Sequence, residues 1–396
     1  MTNNEVPLVV IASDSFKGTL SSREVADIVR DELNGVVPDG CIHEVLIADG
    51  GEGTIDAIGH AKAGERVCRR VCGPLGDKVL ATLLMLDDQT AVVEMAEASG
   101  LTLVPSDSRD PRLTTSRGTG ELIRIALDHG ARHILVGLGG SATNDAGMGA
   151  MRALGVRFLD EGGEELPGRG SSLGLVRAID AGGIDARLAS TEVIVLADVD
   201  APLVGPRGAT RVFAPQKGAD AACVEELERG MCSYAHVLDG WAHEHGIAAT
   251  STRPGAGAAG GMGSALMAFL GAGLRGGIGF VLDAVGIDGL LSRAGLCITG
   301  EGRLDAQTLG GKAVAGVAGR CAAAGVPCVA IAGMVEPGFD VKAAGLSAAI
   351  GCLSPEEAAE LGRGELARGA KERLRVAVRE NIDLLRDLWG RGAHGC

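Results

Sequence analysis

The chain has 396 residues, 46% of them hydrophobic and 22% charged, room for roughly two or three domains with cores of their own. Its formal net charge of −14 disfavours nucleic acid and anionic membrane surfaces as partners. No run approaches the ~20 apolar residues of a membrane span, and the start at Met1 lacks the basic opening of a signal peptide, so a cytoplasmic protein is expected.

The first apolar run, Leu8 to Ala12, stops at Ser13-Asp14-Ser15 and reads as a strand buried on both faces. A helix follows over 22–33. A second strand over 44–48 closes on Asp49-Gly-Gly-Glu52-Gly-Thr54, and the Gly/Pro turn over 71–77 is a candidate crossing between domains. Next come a helix over 120–128 and a strand over 134–138 that runs into Gly139-Gly140-Ser141-Ala142-Thr143-Asn144-Asp145. Another apolar run over 193–197 ends at Asp198 and Asp200. The Gly-rich stretch 255–279 is a second candidate crossing, ahead of a strand over 296–299, the loop Gly300-Glu301-Gly302-Arg303 and an Ala-rich helix over 311–324. Ser354-Pro355-Glu356-Glu357 has the form of a helix cap and opens an amphipathic stretch to about Leu388 with a packing role. The alternation predicts α/β layers, whose ligands bind beyond the carboxyl ends of parallel strands. The polar loops all stand at that position.

Two composition figures fit this layout. The 63 glycines, about twice the usual ~7% share, show no triplet period and cluster in the loops. The ten cysteines contain no CxxC pair and are expected to be reduced core thiols.

The loops carry the parts that phosphoryl transfer from ATP requires: amides for the phosphates, carboxylates for magnesium, a cation, and a group that positions the acceptor hydroxyl. Gly139, Gly140, Ser141, Thr143, Asn144 and Asp145 follow a strand and precede a helix, where amides can meet an anion; a plain turn capped by Asp145 is the alternative. Lys17 after the first strand is a phosphate or carboxylate ligand, or a surface lysine. Asp198 is the preferred magnesium ligand or general base, against a turn-capping role. Glu301, Arg303, Asp305 and Lys312 gather within one Gly-rich stretch suited to an anionic substrate, with a surface salt-bridge network as the alternative, and Thr114 to Glu121 is another helix start that suits an anion or a cap. No GxxxxGK[ST] loop occurs, and the GxGxxG at Gly255, Gly257 and Gly260 follows no strand, which makes it a poor dinucleotide fingerprint.

Six blocks carry a resemblance: Ser13 to Ser22, Ala48 to Thr54, Thr114 to Leu122, Gly137 to Asp145, Pro215 to Gly218 and Thr299 to Thr308. In this order they resemble the bacterial type I glycerate kinases, over about residues 8–381. The resemblance implies ATP- and Mg2+-dependent phosphorylation of D-glycerate, most often at the 2-hydroxyl. It also implies two α/β domains, one Rossmann-like with a parallel sheet over 1–75 plus 285–396, the second inserted over 76–284, with the active site in the cleft. On that reading Arg303 or Lys17 meets the glycerate carboxylate, Asp198 orients or deprotonates the hydroxyl, and Ser15, Asp49, Glu52, Asp305 and Lys312 complete the substrate site. The partner is the small-molecule substrate, with a homodimer compatible. One departure stands at Ala201, where relatives usually carry asparagine. Two other classes stay open, a nicotinamide-dependent dehydrogenase of a small hydroxy acid and a non-catalytic ligand sensor.

Overall fold

The run Leu8–Ser13 forms strand β1, buried along its whole length, as an apolar segment with no polar face must be to escape water. The computed structural model describes residues 6–16, 18–86, 88–306, 308, 313–361 and 363–392. The chain forms two units, the first made of Met1–Asp49, Asp56–Lys62 and Ile278–Cys396, the second of Gly50–Ile55 and Ala63–Gly277.

In the first unit β1 pairs with β2 (Ile42–Glu44) on one side and β11 (Ala294–Leu304) on the other. β12 (Cys328–Val335) and β13 (Ala348–Leu353) extend the sheet in the order β13-β12-β11-β1-β2, with all pairings parallel. Side chains alternate between faces, and both faces are covered. Val9 and Ile11 pack with Val25, Ile28 and Val29 of the helix Ser22–Leu33 and with Leu374, Val378 and Leu385 near the C-terminus. Val10, Ala12 and Ala330 pack on the other side with Val281, Leu282, Val314 and Val317. Each Val, Leu or Ile side chain so taken from water contributes about 1.5–3 kcal/mol. Because β2 and β11 lie on opposite sides of β1, the order reverses there, and a crevice for a ligand opens where β1 and β11 end.

The second unit has the sheet order β10-β9-β6-β5-β4-β3. β3 (Gly64–Cys72) and β4 (Lys78–Leu86) form an antiparallel hairpin at one edge. β5 (Thr90–Glu94), β6 (His133–Gly137), β9 (Glu192–Leu196) and β10 (Gly273–Arg275) run parallel to one another. A separate pair, β7 (Arg157–Leu159) and β8 (Ala178–Asp180), completes the unit. The mixed α/β class with two mostly parallel sheets agrees with the sequence expectation.

Several local expectations differ from what forms. The turn over 71–77 closes the β3–β4 hairpin, with Gly73 N–H donating to the Asp77 carbonyl at 2.7 Å, so residues 63–75 group with the second unit. The run over 44–48 is strand only to Glu44, where the three-residue ladder with β1 ends; Val45 N–H still donates to the Ile11 carbonyl at 2.8 Å, and the run stays buried to Ala48. Gly300 to Arg303 is not a loop. β11 continues through it, with Glu301 opposite Ala332 and Arg303 opposite Met334 on β12. The stretch from Ser354 breaks into helices Pro355–Glu360, Arg363–Glu380 and Ile382–Gly392, the first opened by the expected Ser354–Glu357 capping box. Among the described residues no helix is long and apolar enough to cross a membrane, and the described cysteines are all free thiols.

Candidate functional site

In the second unit, β5, β6 and β9 stop at neighbouring points, at Glu94, Gly137 and Leu196. Glu94 is buried there and accepts hydrogen bonds from the Ile55 N–H at 2.5 Å and the Gly53 N–H at 3.4 Å. It thereby holds the segment Gly50–Ile55 over the strand ends. Gly139 packs against the same segment: its N–H donates to the Gly50 carbonyl at 3.4 Å, and a β-carbon at 139 would lie 2.5 Å from Gly51 Cα. No other residue fits so close an approach. Asp198, two residues beyond β9, is half-buried, and a β-carbon at Gly276 beyond β10 would come within 3.2 Å of its Oδ1. Asp200 and Glu52 are exposed.

The loop after β6 differs from the expected phosphate cradle. Only Gly139 and Gly140 reach the surface, while Ser141 to Asp145 are buried. Asp145 turns inward and accepts from Ser116 N–H and Ser116 Oγ, both at 2.8 Å, from Gly147 N–H at 3.1 Å and from Gly149 N–H at 3.2 Å. The first-turn amides that would greet an anion are therefore already taken by this carboxylate, as in a helix cap. The same bonds occupy Ser116 at the other helix start, and its hydroxyl accepts from the Ala150 N–H at 3.0 Å, so it caps no amide of its own helix. Asn144 is buried too, its Nδ2 donating to Thr210 Oγ1 at 3.1 Å. Ser141, Thr143, Asn144 and Asp145 thus brace the loop from within, and Gly139 and Gly140 form its outward part.

Lys217 supports this loop from below. It is 2% exposed, and its Nζ donates to Ser141 Oγ at 2.8 Å and to the Thr143 carbonyl at 2.7 Å. Burial pulls its pKa down to about 7, against the opposing pull of the Asp145 charge, and burial likewise pushes the Asp145 carboxyl above its usual range. The sign for stability follows from proton counting. Between pH 7 and the ordinary lysine value of ~10.4, the unfolded chain carries a proton that the folded chain has lost, so this lysine makes stability rise with pH across that window. Lys217→Met is expected to remove that rise. The check is the midpoint of urea unfolding at the two ends of the window in both proteins; an identical pH slope in the two would contradict the assignment.

The GxGxxG segment has a packing explanation. Gly257 N–H donates to the Ala201 carbonyl at 2.9 Å, and a β-carbon at Gly260 would lie 2.1 Å from the Thr143 carbonyl oxygen. These glycines let one loop press on another. Position 201 contributes its main chain, which alanine supplies as well as asparagine.

In the first unit, Ser15, Phe16, Glu301, Arg303, Asp305 and Met334 line a cavity of about 370 Å³ at the carboxyl ends of β1, β11 and β12. Glu301 and Arg303, two apart on a strand, share a face. Thr308 Oγ1 donates to Glu301 Oε1 at 2.7 Å and accepts from Asp305 N–H at 3.1 Å. Arg303 is more than half exposed and pairs with Glu336. Ser15 Oγ is buried with no hydrogen-bond partner among the described residues, as befits an atom that awaits one. Asp49 is half-buried beyond β2. Lys17 and Lys312 lie outside the described residues.

Two residues with clear positions carried no role in the sequence reading. Glu94 ends an apolar strand with a carboxylate, the same pattern that singled out Asp198, and that pattern would have found it. Lys217 lay within a quoted block, Pro215 to Gly218, yet nothing local marks a lysine as buried.

The comparisons with known proteins agree with one another. Residues 9–382 match the model of the glycerate kinase family. The chain is 47% identical over 326 residues to glycerate 2-kinase of Escherichia coli (strain K12), covering 82% of this chain and 84% of that one. It is 45% identical over 330 residues to glycerate kinase of Bacillus subtilis (strain 168), covering 83% and 85%. A crystal structure described as glycerate kinase 2 from Salmonella typhimurium LT2 superimposes with a TM-score of 0.78 at 41% identity, over 97% of this chain and 99% of that one. A match that spans nearly the whole chain in sequence and in fold admits one conclusion: this chain belongs to the glycerate kinase family.

Proposed function

We propose that the protein transfers the γ-phosphoryl group of ATP to D-glycerate, at the 2-hydroxyl. The observation that supports this most directly is the gathering of Glu94, the Gly139 loop and Asp198 where β5, β6 and β9 end, within a chain that matches the glycerate kinase family over residues 9–382. The exposed turn at Gly139 and Gly140, with the Gly140 amide outermost, takes phosphate oxygens. The Asp198 carboxylate, an oxygen donor suited to a hard cation, is the residue that would hold magnesium, which when bound neutralises charge on the triphosphate. In the transfer itself the glycerate hydroxyl oxygen forms a bond to the γ-phosphorus, the bond to the ADP oxygen breaks, and the hydroxyl proton passes to Asp198. Little covalent work falls to side chains, so positioning and electrostatics set the rate.

Arg303 takes the glycerate carboxylate, with Ser15 and Asp305 beside it in the cavity of the first unit. Arg303→Ala is expected to raise KM for glycerate about 10- to 100-fold, as the loss of a charge-assisted bond of ~1.5–3 kcal/mol requires. KM for ATP should stay unchanged in the same kinetic experiment, and a shift in the ATP value instead would move Arg303 to the nucleotide. The overall reading is tested by coupled ADP release with D-glycerate as acceptor and phosphorus NMR of the product. ADP formation that depends on glycerate and yields 2-phosphoglycerate supports it. Release indifferent to glycerate overturns it.

A further inference from the structure

Three thiols meet in the core of the first unit, away from the cavity residues. Cys297 lies on β11, Cys328 opens β12 directly opposite it in the ladder, and Cys321 comes from the helix Ala313–Ala324 that covers the two strands. Their sulfur atoms all lie within 4.8 Å of one another, and no histidine or carboxylate joins the group among the described residues. All three are fully buried, in a cluster that includes Val10, Ala12, Val314 and Ala318.

We propose that Cys297, Cys321 and Cys328 form a binding site for one trivalent thiophilic metalloid, of which arsenite is the representative. Charge decides among the ions that thiolates favour. A divalent ion on three thiolates leaves one uncompensated negative charge and seeks a fourth ligand, and a monovalent ion leaves two such charges. An apolar interior resists both. A trivalent metalloid on three thiolates is neutral and needs no further ligand. The step balances without an oxidant: arsenous acid, As(OH)3, reacts with three S–H groups, three As–S bonds form, three As–O bonds break, and three waters leave with the thiol protons. Because the sulfurs are buried, entry waits on local opening, and binding is slow and temperature-dependent.

The test uses the full chain incubated with arsenite under reducing conditions and then gel-filtered. One arsenic retained per chain, three sulfur neighbours in X-ray absorption, and a raised unfolding temperature support the site. In Cys321→Ala, retention should fall to background with circular dichroism and kinase turnover unchanged. If that variant does not fold, Cys68→Ala combined with Cys232→Ala, which removes the exposed thiols among the described residues, should still retain one arsenic. No retention by the native protein, equal retention in Cys321→Ala, loss of retention with the exposed thiols, or a preference for zinc over arsenite would each overturn the proposal.

Discussion

Asp198→Asn is expected to lower turnover roughly 100- to 10,000-fold, the range that a positioned general base contributes, far more than it weakens ATP binding through the metal. Asparagine keeps the size of the side chain and one acceptor oxygen but cannot receive a proton, so the deficit falls on the chemical step. The aspartate stands two residues beyond β9, close beside the main chain of Gly276, and the substituted side chain meets no new clash there. Steady-state kinetics in glycerate and in ATP separate the outcomes. Turnover equal to that of the native protein removes Asp198 from the mechanism, and a selective loss of ATP affinity reduces it to a metal or nucleotide ligand.

The second large effect is on stability. Asp145→Ala orphans the Ser116 N–H and Oγ and the amides of Gly147 and Gly149, and it leaves the buried Lys217 without the carboxylate charge that favours its protonated form. Leaving a buried donor without a partner costs about 1–3 kcal/mol, and several such losses in a unit of this size lower the unfolding temperature by on the order of 10 °C. Asp145→Asn should lose less, because its amide oxygen still accepts from part of the set. Calorimetry on the two variants and the native chain provides the comparison. An Asp145→Ala protein as stable as the native one would mean that the four donors find other acceptors.

Parallel strands are the part of this fold that a sequence shows best. Leu8 to Ala12, 134–138 and 193–197 are apolar without alternation because helices or other strands cover both their faces, and each ends in a polar turn where β1, β6 and β9 end. Direction of side chains is harder to see. Asp145 and Asp198 both follow a strand and a short linker, yet one points into the protein onto four donors and the other is half-exposed. What separates them is contact with Ser116, remote in the chain. Gly300 to Arg303 shows a related limit: its glycines suggest a loop, and only the neighbouring β12 draws it into a strand. Lys217 illustrates the third, since a buried lysine depends on acceptors contributed by the loop around Ser141 and Thr143. Each of these outcomes is decided by residues far away in sequence, which local composition does not record.

The strand order of the first unit also dictates when that unit can form. β1 and β2 leave the ribosome early, but β1 needs β11 as its second neighbour, and β11 begins only at Ala294. The long segment Ala63–Gly277, by contrast, contains all the strands of its own sheet. During synthesis it can collapse while Leu8–Ser13 still waits with an unpaired, strongly apolar edge, a template for unwanted pairing with other nascent chains. The segment Leu8–Ser13 is therefore among the last to reach its final neighbours, and chaperone demand should be greatest in the interval before β11 is made.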